Sequence, residues 1–133
     1  MNFLSIDCSM NIGSLFVKIE NKTFSKVLQS DKSNNDLLMK QILDFFEENN
    51  LKLDDISQIF VNQGPGNFSG LRGSLAVAKG LSLSKNLNLF GYNTFIWTCV
   101  KFLKKKILFT VSSNLEKNIL LKNLMEILKV CQY

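Results

Sequence analysis

The sequence predicts an α/β domain built on a mixed sheet, with the element order βββαβαβ. Three observations carry this. The first 28 residues hold three short apolar runs separated by brief polar turns. Two later segments have helical periodicity, and each is followed by another short apolar run. The 133 residues are 46% hydrophobic and 20% charged, enough apolar content for a globular core.

Phe3 to Asp7 is an apolar run ending in an acid and reads as the first strand. Asn11-Ile12-Gly13 is a turn, Ser14 to Ile19 a second strand, Asn21-Lys22 a tight turn and Thr23 to Leu28 a third strand. Short connections make these three an antiparallel meander. Ser33 and Asp36 fit a capping box before a helix over Leu37 to Glu48. On that helix Leu38, Met39, Ile42, Leu43, Phe45 and Phe46 fill an arc of roughly 160° at 100° per residue, wider than one sheet contact requires. The surplus implies a second apolar contact, with a neighbouring helix or with another chain. Leu51 to Asp55 connects to a fourth strand, Ile56 to Asn62, which a helical crossover makes parallel to the first.

Gln63 to Arg72 reads Gln-Gly-Pro-Gly-Asn-Phe-Ser-Gly-Leu-Arg and holds three of the seven glycines, the only proline and the only arginine. It feeds a helix over Leu71 to Lys85, with Ser69 suited to the N-cap. Such a strand–turn–helix corner is either a seat for an anion or a rigid structural bend. It is not a Walker A loop, because no Gly-Lys-Ser/Thr follows. Gly73, Ala76, Gly80 and Ser84 fall on one narrow side of the helix, where another backbone can approach closely; Leu71, Leu75 and Ala78 fall where they can meet the sheet. Arg72, in the first turn beside the positive end of the dipole, calls for a partner. A fifth strand covers Asn86 to Tyr92. Beyond Asn93, Phe95–Leu103 reads as a helix, Lys106–Val111 as a strand and Glu116–Lys129 as an amphipathic helix. The division expected is 1–97 as the main domain and 98–133 as a basic tail.

The chemistry open to the chain is narrow. It has no histidine, which removes His-based metal sites, general bases and nucleophile pairs. Cys8, Cys99 and Cys131 are odd in number and widely spaced, as for reduced thiols in a cytoplasmic setting. No run of eighteen apolar residues offers a membrane span, and the N-terminus lacks the basic region of a signal peptide. Residues 1–97 balance nine cations against nine acids, so the +5 net charge falls on residues 98–133. A neutral body argues against direct nucleic-acid binding. Asp7-Cys8-Ser9, at a strand end before a turn, could hold a Mg²⁺-bound phosphate or merely cap the turn.

Two of these stretches carry a resemblance. Ile6-Asp7-Cys8-Ser9 and Gly64-Pro65-Gly66-Asn67-Phe68-Ser69-Gly70-Leu71-Arg72, with Leu75 to Leu81 and Gly91-Tyr92-Asn93-Thr94 after them, resemble the bacterial tRNA threonylcarbamoyladenosine (t6A) biosynthesis family TsaB. The resemblance covers about residues 1–95. It implies an ASKHA fold, the actin-like or Hsp70-like nucleotidase architecture of glycoprotease-like proteins, with residues 98–133 as a truncated second-lobe remnant.

The same resemblance implies a scaffold without catalytic residues or metal, pairing through first-lobe helices with a catalytic TsaD-like paralogue and working with a TsaE-like ATPase. A homodimer is a further form of pairing. Contact with tRNA would be indirect, through the complex. The pairing surface would comprise Leu38, Ile42, Phe45, Phe46, Arg72, Gly73, Ala76 and Gly80. No cofactor would be required by the chain itself, with ATP or ADP and Mg²⁺ confined to a partner interface. The candidate phosphate-binding residues are Asp7, Ser9, Gly64, Gly66 and Ser69, and they also support the alternative of a minimal actin-like ATPase or kinase. Gly73-Ser74 depart from the family's usual Ile-Gly at that point.

Overall fold

A computed structural model describes residues 1–28 and 37–95. Strands β1 (Phe3–Asp7), β2 (Ser14–Ile19) and β3 (Lys22–Val27) are followed by helix α1 (Leu37–Glu48), strand β4 (Gln58–Asn62), helix α2 (Phe68–Lys85) and strand β5 (Asn88–Tyr92). They form one five-stranded sheet in the order β3-β2-β1-β4-β5. The meander is antiparallel, whereas β4 runs parallel to both β1 and β5. The expected βββαβαβ order is therefore observed, and Met1–Phe95 is one compact unit. The readings beyond residue 95, and the capping box at Ser33 and Asp36, lie outside the described residues.

Side chains alternate across each strand. Leu4, Ile6, Leu15, Val17, Ile59 and Val61 share one face and form a buried cluster with Leu38, Ile42, Phe45 and Phe46 of α1 and Ala78 and Leu81 of α2. Each of the Val, Leu, Ile and Phe side chains among them contributes roughly 1.5–3 kcal/mol by leaving water. On the opposite face an aromatic row crosses four strands. Phe3 lies 5.8 Å from Phe16 and meets Phe60 edge-on at 5.3 Å, and Phe60 stacks on Phe90 at 5.3 Å between ring centroids.

Element ends differ from expectation for local reasons. The β2–β3 turn sits at Glu20-Asn21, one residue early, with Glu20 in the left-handed region at φ 53° and its N–H donating to Asn2 Oδ1. A 3-10 turn over Leu53–Asp55 takes Ile56 as its cap, so β4 begins at Gln58 rather than Ile56. Both helices end on an asparagine with φ near 50°, Asn50 and Asn86, where glycine is more usual. In each, the following N–H reaches back five residues, from Leu51 to Phe46 O and from Leu87 to Ser82 O. Asn86 is thus a helix terminus, and β5 starts two residues after it.

Two expectations about helix faces are corrected. The wide arc of α1 is mostly absorbed by the chain's own core: Leu38, Ile42, Phe45 and Phe46 are buried, leaving Leu43 exposed and Met39 partly covered. The second contact needed by that arc is α2 of the same domain, so these four residues are not a surface for another chain. Leu75 does not meet the sheet but is 39% exposed, because Ser74, Ala78 and Leu81 take the inward side of α2.

Candidate functional site

Parallel strands β1, β4 and β5 end together, and each ends in a polar residue. The carboxylate of Asp7 is the centre of what they form. Its Oδ1 accepts from the Ser9 N–H at 2.9 Å, closing the turn after β1. Its Oδ2 accepts from Asn62 Nδ2 at 3.0 Å and from the Tyr92 hydroxyl at 3.1 Å. Asn62 is fully buried, and its Oδ1 accepts from Gly64 N at 2.8 Å and Thr94 Oγ1 at 3.0 Å. Thr94 N–H donates in turn to Gly64 O at 3.0 Å. A buried amide needs partners on both ends, and here it has them.

The glycine-rich loop leaves β4 through a cis Gly64–Pro65 bond, with Gly64 at φ 94°. It then folds back onto the β1–β2 turn. A Cβ on Gly66 would strike the carbonyl of Ser9, and one on Gly70 the carbonyl of Cys8. Asn67 N–H donates to Ser9 O at 2.7 Å. Asn67, not Ser69, caps α2: its side chain accepts from Gly70 N at 3.1 Å, and its carbonyl accepts from Leu71 N. Asparagine caps as well as serine does, and Phe68-Ser69-Gly70 simply extend the helix by nearly one turn. Arg72 consequently stands beyond the first turn, where the dipole matters less. Its partner is the Phe68 ring, four residues earlier, at 5.3 Å.

The structure thus gathers Asp7, Ser9, Gly64 and Gly66 and leaves Ser69 on an exposed turn of α2. The amides of Ser9, Gly64, Asn67 and Gly70 all donate within the chain. A Mg²⁺-phosphate needs a carboxylate and a run of outward N–H groups. The carboxylate here already accepts three hydrogen bonds, so these donors and acceptors fit such a group poorly. Among the described residues no three Cys, Asp or Glu side chains cluster in a way that could hold a metal ion. Cys8 is buried beside this network; burial, then the Asp7 charge, pushes its thiol up to about 11. Asn62, Asn67, Tyr92 and Thr94 were not among the residues expected at the site. A signal for Asn62 and Tyr92 was available: each ends a parallel strand beside Asp7, where open α/β sheets gather their polar groups.

The outward side of α2 is different in character. Phe68 is 72% exposed and Leu83 76% exposed, and Ala76 and Gly80 are exposed near them. Nothing lies within 4 Å of where a Gly80 Cβ would be, and Gly73 is half-buried. Of the eight residues expected on a pairing surface, Arg72, Gly73, Ala76 and Gly80 are therefore on or beside the solvent side. No helix among the described residues is long and apolar enough to cross a membrane.

Residues 28–127 match the family model described as TsaD: tRNA N6-adenosine threonylcarbamoyltransferase. The chain belongs to this family. Within it the resemblance is to TsaB. It is 36% identical over 86 residues to the tRNA threonylcarbamoyladenosine biosynthesis protein TsaB of Buchnera aphidicola subsp. Baizongia pistaciae, covering 63% of this chain and 38% of that protein. It is 28% identical over 118 residues to the TsaB of subsp. Schizaphis graminum, covering 84% of this chain and 55% of that one. YeaZ from Pseudomonas aeruginosa superposes with a TM-score of 0.68 at 19% identity, over 79% of this chain and 49% of YeaZ. The fold is thus an actin-like first lobe of the TsaB kind, and the chain spans between about two fifths and just over half of these relatives.

Proposed function

We propose that this chain is a non-catalytic, partner-binding subunit in the formation of threonylcarbamoyladenosine on tRNA, and that it pairs through α2 with a TsaD-like paralogue that carries the chemistry. The observation behind this reading is the exposed apolar side of α2, with Phe68, Leu75 and Leu83 open to solvent on a helix whose other side is fixed to the sheet. Large apolar side chains exposed together mark an interaction surface. The polar network at Asp7 supports the non-catalytic part, because its groups are bonded to one another rather than aimed at a substrate. The same proposal includes work with a TsaE-like ATPase and indirect contact with tRNA, in the cytoplasm.

The test is co-elution. The full chain mixed with the TsaD-type paralogue of the same cell should leave a sizing column as one complex, and Gly80→Leu, placing a bulky side chain in open space on that surface, should separate the two. Separate elution of the unaltered proteins sinks the reading. The alternative of a minimal ATPase is checked by calorimetry of the chain alone with Mg²⁺-ATP. No heat is expected; tight binding lost in Asp7→Asn would favour the enzyme.

A further inference from the structure

The exposed side of α2 has a charge pattern as well as an apolar one. Phe68, Arg72, Leu75, Lys79 and Leu83 follow one another at spacings of four, three, four and four, which places all five within an arc of about 80° on a helix of 100° per residue. All five are exposed. Apolar and basic positions alternate, and Phe68–Lys85 contains no aspartate or glutamate. The third cation of the helix, Lys85, is paired with Asp54 at 2.7 Å, whereas no carboxylate of the described residues pairs with Arg72 or Lys79.

We infer that the occupant of this stripe is an amphipathic helix of a different protein chain, apolar along its centre, with carboxylates about seven residues apart that meet Arg72 and Lys79. This rests on the pairing proposed above and names the chemistry of the partner's surface. Arg72 and Lys79 are two helical turns apart, about 10 Å along the axis. A facing helix can answer both with acids at the same interval, while its apolar residues fill the space between Phe68, Leu75 and Leu83. A second copy of this chain answers the stripe poorly. A two-fold contact between α2 helices would set the Arg72–Lys79 pair of one copy against the same pair of the other. Among the described residues the exposed acids are Glu20, Glu47, Glu48, Asp54 and Asp55, none of them on α2, and Glu48 and Asp54 are already paired with Lys26 and Lys85.

The experiment is calorimetry of the full 133-residue chain with the TsaD-type paralogue at low and at physiological salt. Binding that weakens with salt is expected, with Arg72→Gln/Lys79→Gln losing at least tenfold and most of the salt dependence. Leu83→Asp should abolish binding. These side chains are exposed, so circular dichroism of each variant should match the parent. Binding that is indifferent to salt and to the paired glutamine substitutions overturns the acidic-helix assignment and leaves the pairing itself standing. Absence of any binding by the unaltered chain removes both. A dimer of the chain alone that Leu83→Asp dissociates and the glutamine pair leaves intact overturns it in favour of a second copy.

Discussion

Asn62 Nδ2 donates to Asp7 Oδ2 at 3.0 Å between the adjacent ends of β4 and β1, from a side chain with no solvent exposure. The same amide accepts from Gly64 N and Thr94 Oγ1. Asn62→Ala should therefore lower stability by about 1–3 kcal/mol, since it leaves buried polar groups without partners. Tyr92→Phe removes one bond to a carboxylate that keeps two others, and should cost about 1.5 kcal/mol, the low end for a bond to a charged group. Urea unfolding of both variants gives the order; equal losses would contradict it.

The glycines of α2 and of its approach should respond in opposite directions. Gly66→Ala meets the Ser9 carbonyl, a backbone atom that cannot step aside, and should destabilise by about 1–3 kcal/mol. Gly80→Ala meets nothing within 4 Å and should stabilise the isolated chain by about 0.5–1 kcal/mol through helix propensity. Thermal midpoints would report the two signs.

Cys8 should be silent to thiol reagents in the native state. With its pKa raised to about 11, little thiolate exists at pH 8, and burial closes access. Peptide-resolved alkylation should label Cys8 only in denaturant. The linkage has a definite sign. The folded state holds this proton above the ordinary 9.0, so the stabilisation is complete below pH 9 and is lost as pH rises through about 11. Cys8→Ala should remove that component of the alkaline decline.

On the surface, Lys85 bonds Asp54 at 2.7 Å and holds its carboxyl below the ordinary value, chiefly by that hydrogen bond. A group depressed in this way stabilises at neutral pH and loses the effect as pH falls through its folded pKa. In an NMR titration Lys85→Met should move the Asp54 midpoint upward. An unmoved midpoint would mean that the pair does not persist in solution.

The order of elements was legible because strands and helices differ in period: Phe3 to Leu28 alternates, while Leu37 to Glu48 repeats every three to four residues. What sequence left open were decisions made by tertiary contact. Leu38, Ile42, Phe45 and Phe46 look the same whether a helix of the same domain or another protein covers them, and only the position of α2 decides. Leu75 faces away from the sheet because small residues at Ser74 and Ala78 let α2 sit close to it with that side inward. Of the candidate site, Asp7, Ser9, Gly64 and Gly66 do come together, but the groups that tie them are Asn62, Asn67 and Tyr92. An asparagine or a tyrosine at a strand end acquires meaning only once its neighbours across the sheet are known.

The way α2 is fastened bears on how freely the surrounding sequence can drift. Its start is located against the β1–β2 turn by close backbone approach at Gly66 and Gly70 and by the Asn67 N–H to Ser9 O bond, not by large side chains. Met10 and Ile12, in the same turn, are exposed and can be exchanged without moving the helix. The direction in which α2 presents its outer stripe is therefore recorded largely in two missing β-carbons. In a library of random substitutions, those two glycine positions should be among the least tolerant in the loop, and the exposed tip of the turn among the most permissive.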